Sequence, residues 1–234
     1  MKNKYVIIVA GGHGSRMQSS LPKQFMLLAG KPLLMHTLNA FLLAGVEIIL
    51  VLPKDHFSTW SDLCQQYNFQ TPIQLVAGGE TRYHSVKNGL VMVKETASTD
   101  TPAKDHQNTY VAVHDAARPF ISPSGIQSAF DQAVQYGSFV PALPLTESLR
   151  HITDAGNQAV DRANYRSIQT PQIFPTAALK TAYNKPYQPS FTDDASVYEA
   201  AGHTIHLGQG WQENIKITTP QDLAWAEYYL KQDY

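Results

Sequence analysis

Apolar residues along this chain come mostly in blocks. Residues 5–10, Tyr-Val-Ile-Ile-Val-Ala, form an unbroken apolar run closed by Gly11 and Gly12. A run of this kind, rich in β-branched residues and cut by glycine, predicts a strand buried on both faces. Residues 31–45 place Leu34, Leu38, Phe41 and Leu42 on one helical face with Gly45 as the stop signal, and 46–52 give a second apolar strand halted by Pro53. Together these make a βαβ unit. Residues 55–67 read as a second helix, 73–76 as a third strand and 85–93 as a third helix. The alternation predicts an α/β fold whose largely parallel central sheet carries helices on both faces.

Between 95 and 108 apolar residues nearly vanish, which predicts an exposed loop. The pattern then resumes with a strand at 110–113 that runs into His114-Asp115. Ser122-Pro123 supply an N-cap and first-turn proline for a helix to about Tyr136, and 138–143 give another strand. From 145 to 169 the pattern changes. Two short extended pieces, 148–152 and 159–163, flank a turn at Asp154-Ala155-Gly156-Asn157 and predict a protruding β-hairpin arm. A lone hairpin is marginal in water, so the arm calls for a partner surface, most simply a second subunit. The tail reads as a helix at 194–201, extended pieces at 203–207 and 214–218, and a final helix opened by Thr219-Pro220 and running to about Lys231. The chain is thus read as one domain over 1–234 with an arm at about 145–169.

At 234 residues, one α/β domain is the ordinary expectation. Lys plus Arg number 18 against 19 Asp plus Glu, so no broad basic face is left for a nucleic acid, which is not an expected partner. No stretch approaches the roughly 20 apolar residues of a membrane span, so no membrane partner is expected either. The single cysteine, Cys64, cannot form an intramolecular disulfide and fits a reducing compartment. The first apolar run is too short for a secretory leader, and a cytoplasmic location is expected.

The chemistry should begin where the first strand ends. Ala10-Gly11-Gly12-His13-Gly14-Ser15-Arg16-Met17 is a glycine-rich loop whose backbone N–H groups can approach an anion closely, and a nucleotide phosphate is its natural tenant. It is not a Walker A loop, and Met17 stands where a dinucleotide fingerprint needs its third glycine. Taken alone, it also fits a structural tight turn. Arg16 and Lys23 lie seven residues apart on the same loop and can converge on one triphosphate, although either taken singly is an ordinary surface charge. Asp115, in His114-Asp115-Ala116-Ala117-Arg118-Pro119, falls at a strand's carboxyl end, where open α/β sheets bind ligands. A carboxylate there can hold Mg²⁺ or accept hydrogen bonds from a polyol; the plainer alternative is an ion pair with Arg118. Thr192-Asp193-Asp194 and Asn214-Ile215-Lys216 add a polar cluster and a second lysine. The histidines at 36, 84, 151, 203 and 206 lack zinc spacing. Ser85 lacks a hydrolase elbow but is a candidate hydroxyl contact to a nucleotide.

These motifs, with Pro22-Lys23-Gln24, Gly30-Lys31-Pro32, Gly78-Gly79 followed by Ser85-Val86, Val160-Asp161-Arg162, Thr170-Pro171-Gln172 and Asn214-Ile215-Lys216-Ile217-Thr218, stand in an order that resembles the 2-C-methyl-D-erythritol 4-phosphate cytidylyltransferases of the non-mevalonate isoprenoid pathway. The resemblance runs nearly end to end. It implies a Rossmann-like nucleotidyltransferase fold, CTP and a sugar-alcohol phosphate as substrates, Mg²⁺ as cofactor, and a homodimer. Arg16, Lys23, Lys216 and Arg162 would be catalytic. Ala10, Gly11, Gly12, Gly14, Gly79, Glu80, Ser85 and Asp115 would hold the nucleotide. Asp115, Arg118, Ser148, Arg162, Thr170, Thr192 and Lys216 would bind the alcohol phosphate, with Arg162 reaching in from the arm of the other protomer. Asp115 is the candidate metal neighbour, the ion being held mainly by the CTP phosphates. The chain departs from the family in having Glu80 where Asp is commoner and Glu147-Ser148 where Asp-Thr is common. A related ribitol- or ribulose-5-phosphate cytidylyltransferase is the alternative. Ala117, Val160-Asp161-Arg162 and Thr192-Asp193-Asp194-Ala195-Ser196 look more like the methylerythritol enzyme.

Overall fold

A computed structural model describes residues 3–11, 21–94 and 109–232. The first apolar run forms β1 (Asn3–Val9), and two short strands, β2 (Leu27–Leu28) and β3 (Lys31–Pro32), follow it as an antiparallel pair. That pairing corrects the expected helix start: α1 (Leu33–Leu43) begins only after Pro32, because Lys31-Pro32 is taken up by the turn. At its other end Gly45 adopts φ 68°, and the amides of Gly45 and Val46 bond the carbonyls of Leu42 and Phe41 at 2.9 and 3.1 Å. This is a Schellman closure, and it requires the left-handed conformation that glycine adopts without steric cost. Next come β4 (Glu47–Leu52), α2 (Phe57–Gln66), β5 (Gln74–Ala77), α3 (Arg82–Met92), β6 (Thr109–Asp115) and α4 (Pro123–Tyr136). Ser122 caps α4 by accepting from the Gly125 amide at 3.0 Å.

The remaining strands are β7 (Val140–Pro144), β8 (Leu149–Thr153), β9 (Gly156–Val160), β10 (Arg166–Ile168) and β11 (Gln172–Pro175). Helices α5 (Thr176–Ala182) and α6 (Asp194–Ala200), strand β12 (Leu207–Gln209) and helix α7 (Pro220–Gln232) complete the described chain. The main sheet has the order β11-β6-β1-β4-β5, parallel throughout except for β11, which runs antiparallel to β6. Its two faces follow from strand alternation. Val6 and Ile8 pack with Leu34, Leu38, Ile126 and Phe130 of α1 and α4. Tyr5 and Ile7 pack with Val86, Leu90, Leu179 and Tyr198 of α3, α5 and α6. Each fully buried aliphatic contributes about 1.5–3 kcal/mol, so this central slab fixes the positions of everything at its rim.

A second sheet, β10-β7-β12, flanks the first, and β8 and β9 pair with each other as an antiparallel hairpin. The hairpin's second strand starts earlier than the expected piece at 159–163: Gly156 and Asn157 pair with Thr153 and Ile152 and so belong to the strand, not the turn. Three further expectations need correction. Sheet pairing at 203–207 begins only at Leu207. Residues 214–218 join no strand and are strapped to the sheet edge by the Ile217 amide on the Ala117 carbonyl at 2.9 Å. Strands β10 and β11 and helix α5 were not anticipated, because prolines bracket the two apolar residues Ile173 and Phe174. Pairing with β6 makes that short segment a strand, and its edge position tolerates Pro175.

Candidate functional site

A cavity of about 540 Å³ opens at the carboxyl edge of the main sheet. The parallel register sets Val9 beside Val51 and Asp115, so the chain leaves three neighbouring strands at one level. On the first wall, the Ala10 amide donates to Val51 at 2.9 Å, and the Ala10 carbonyl accepts from the buried Gln24 amide at 2.9 Å. Gln24 thereby staples the short turn Lys23–Phe25 back to the end of β1 and brings Lys23 to the cavity wall. The Lys23 ammonium also meets the Ile217 carbonyl at 3.5 Å.

The second wall is the junction from β5 into α3. A Cβ at Gly79 would lie 2.4 Å from the Cβ of His84, so only glycine allows this turn. The buried Ser85 hydroxyl accepts from the Gly79 amide at 3.1 Å, while Glu80 sits exposed on the rim.

Asp115 forms the third wall. Its Oδ2 lies 2.9 Å from the Lys216 ammonium and 3.5 Å from Arg118 Nε, and its Oδ1 lies 3.7 Å from Arg82 Nε. Burial alone would raise this carboxyl, but the charges of Arg82, Lys216 and Arg118 outweigh it and hold Asp115 well below the usual carboxylate range. Behind it, the Asp115 amide donates to the Thr170 hydroxyl at 3.1 Å, and that hydroxyl meets His114 Nδ1 at 3.1 Å. His114 Nε2 lies 3.0 Å from the Arg118 carbonyl. A carbonyl only accepts, so the ring donates from Nε2, and Nδ1 accepts from Thr170. Burial pushes this imidazole down to about 4. Arg118 Nη1 donates to the Asn214 carbonyl at 2.8 Å, and Asn214 donates to the Thr170 carbonyl at 2.8 Å. The strap is thereby locked so that Lys216 faces Asp115.

Ala10, Gly11, Lys23, Gly79, Glu80, Ser85, Asp115 and Lys216 therefore line one cavity, with Arg118 and Thr170 directly behind Asp115. Ser148 and Arg162 are exposed on the arm and Thr192 is exposed ahead of α6; none of the three lines the cavity. Gly12, Gly14 and Arg16 lie outside the described residues. Sequence reasoning passed over Arg82, which opens α3 against the helix dipole. The sequence pattern set this helix at 85–93 and left Arg82 outside it, so its place at the helix start, where a cation needs nearby carboxylates, was not legible. Asp194 grips its guanidinium with two bonds, at 3.0 and 2.6 Å.

Among the described residues, no group of three or more His, Cys, Asp or Glu side chains could hold a metal ion. Asp115 offers one carboxylate already compensated by cations, so a divalent ion fits here only as the companion of phosphate oxygens. Open parallel α/β topology, a glycine turn at the sheet edge and converging lysines define a nucleotidyltransferase-class enzyme. The family model for 2-C-methyl-D-erythritol 4-phosphate cytidylyltransferase (IspD) matches residues 4–232. Enzymes of that name from Bacteroides thetaiotaomicron and Porphyromonas gingivalis are each 48% identical, over 93% and 98% of this chain and 95% and 99% of their own lengths. The crystal structure of the Francisella tularensis enzyme superposes with a TM-score of 0.77 at 30% identity, covering 97% of this chain and 99% of that one. This chain belongs to the 2-C-methyl-D-erythritol 4-phosphate cytidylyltransferase family.

Proposed function

We propose that this chain transfers CMP from CTP to 2-C-methyl-D-erythritol 4-phosphate, giving 4-diphosphocytidyl-2-C-methyl-D-erythritol and pyrophosphate. The observation that carries the reading is the Asp115–Lys216 pair at 2.9 Å, facing the Ala10-Gly11 and Gly79-Glu80 turns across one cavity. The relatives named above carry this substrate in their names, which favours it over ribitol or ribulose 5-phosphate. Glu80 keeps the family's carboxylate and Ser148 its hydroxyl, so neither departure changes the reaction class.

The acceptor oxygen belongs to a phosphate monoester whose second pKa is about 6, so it is ionised at neutral pH and needs no general base. His114 fits this scheme as a structural group, because it is buried and both ring nitrogens are engaged. The residues' work is to hold two mutually repelling anions in line and to neutralise charge at the α-phosphate. Lys23 and Arg16 act on that phosphate, while Lys216, Arg118 and Thr170 orient the acceptor around Asp115; Thr192, outside the cavity wall, is assigned to the acceptor by the family resemblance. Gly12 and Gly14, which share the glycine-rich loop with Ala10 and Gly11 in sequence, are assigned to the nucleotide as well. Mg²⁺, when bound to the triphosphate beside Asp115, supplies further neutralisation at that phosphate.

The working unit is a single-domain cytoplasmic homodimer in which Ser148 and Arg162 enter the partner's acceptor site from the 145–169 arm, with no nucleic-acid or membrane partner. Among the described residues the arm's strands pair only with each other and leave Ile152 exposed, which supports a protein surface as their cover. No helix among the described residues is long and apolar enough to cross a membrane. Phosphorus NMR of the enzyme with CTP, Mg²⁺ and methylerythritol phosphate tests the chemistry. The expected result is a new asymmetric diphosphate growing in step with pyrophosphate. CTP breakdown to free CMP without that diphosphate would contradict the transfer.

A further inference from the structure

Arg82 is the one arginine lining the cavity among the described residues, and it belongs to both of its sides. Its backbone opens α3 directly after the Gly79 turn, which the Ser85 hydroxyl of the same helix closes, on the wall read as the nucleotide side. Its guanidinium crosses to the acceptor side, where Nη1 and Nη2 grip the two oxygens of Asp194 at 3.0 and 2.6 Å and Nε faces Asp115 at 3.7 Å. Asp194 is fully buried, and it also accepts from the Tyr183 hydroxyl at 2.6 Å. Tyr183 is held in turn by stacking on Tyr83 with ring centroids 4.7 Å apart.

The arrangement differs from a surface ion pair in three respects. The fork is bidentate, the carboxylate has lost its water, and a third group fixes the carboxylate's orientation. Arg82 therefore has little rotational freedom, and the face it turns toward Asp115 is set by α6 and α5. Residue 193, next to Asp194, caps α6 and accepts from Gln172 of β11 at 2.9 Å, so the same anchor reaches the segment that bears Thr192. Movement of the acceptor side relative to the nucleotide turn would have to break this fork.

We propose that Arg82, anchored by Asp194 and Tyr183, is a positioning residue for the transfer step: it fixes Asp115, and through Asp115 the Lys216 ammonium, relative to the nucleotide turn. The inference rests on the transfer reaction proposed above. It assigns Arg82 an effect on the rate of the bound complex rather than on capture of either substrate. Lysine at this position keeps the charge but cannot hold both Asp194 oxygens.

Steady-state kinetics of Arg82→Lys, Asp115→Asn and the double variant, with CTP and methylerythritol phosphate varied separately, test the proposal. In Arg82→Lys, kcat should fall about 10²-fold, the loss that a misplacement of about 1 Å brings, with each KM changed by less than about threefold. The double variant should be little slower than Asp115→Asn alone, because both changes remove the same alignment. Losses that multiply independently, or a loss confined to KM, overturn the positioning role. If Arg82→Lys does not fold, Tyr183→Phe decides. It keeps the ring stack and removes one hydrogen bond to a charged group, so kcat should drop about tenfold at unchanged CTP affinity, and unchanged kcat overturns the role. No pyrophosphate release by the wild-type enzyme would overturn the transfer reaction together with this inference, whereas an active wild type with independent losses would overturn the inference alone.

Discussion

At the carboxyl edge of the main sheet, Asp115, Thr170 and Arg118 are each fixed by partners from other elements. On the arm, the exposed Arg162 guanidinium donates to the Thr146 carbonyl, a contact within the arm itself, and Ser148 and Ile152 are exposed. The edge thus carries its own geometry, inherited from a slab buried on both faces. The arm has strand pairing, but its residues are mostly exposed and none belongs to a core cluster among the described residues. Under the homodimer proposed above, the edge is the part of the site that one chain builds by itself, and the arm is the part that a partner would have to place.

The comparison can be broken most severely at Lys23. Lys23→Ala should cost about 10²- to 10³-fold in turnover with a smaller change in substrate binding, and near-normal turnover would remove Lys23 from the chemistry. Acid should next distinguish the edge from the arm. His114 is held at about 4 in the fold against 6.5 when unperturbed, so across that interval only the unfolded chain takes up its proton. Stability is then full above 6.5, falls as pH drops through the interval, and gains no further penalty from this group below it, a total of about 3 kcal/mol. Urea titrations should show that His114→Gln flattens the slope between these limits; equal slopes in variant and wild type would refute the assignment. A third probe mixes Arg162→Ala with Lys216→Ala chains. If arms cross, random pairing restores about a quarter of wild-type activity, because half the dimers are mixed and each has one intact site. If each arm serves its own chain, mixing restores nothing. The smallest effect belongs to Ile152→Ser, which should change unfolding of an isolated protomer by less than about 0.5 kcal/mol yet weaken self-association measured by sedimentation.

Much of the fold was legible because β1, β4 and β6 are buried on both faces and so read as apolar blocks. Caps were equally plain: Ser122 and Thr219 are local signals, and the Thr219 hydroxyl does accept from the Asp222 amide at 3.3 Å. Strand β11 was hidden because pairing with β6, rather than its own four residues, makes it a strand. The site divides in the same way. Residues next to glycine turns or strand ends, such as Lys23, Ser85 and Asp115, could be found from spacing. Arg82 could not be assigned, because its partners Asp115 and Asp194 lie 33 and 112 residues away and meet it only through the sheet. Thr170 was named only through family resemblance, and its hydrogen bonds to His114 and Asp115 are long-range contacts.

The central claim is most directly tested by pyrophosphate release from CTP and Mg²⁺ with methylerythritol 4-phosphate, ribitol 5-phosphate and ribulose 5-phosphate offered in parallel. Rapid turnover with the first, and little with the two pentose derivatives, is the predicted result. Turnover with a pentose derivative in its place would keep the cytidylyl-transfer mechanism but contradict the acceptor assigned to this site.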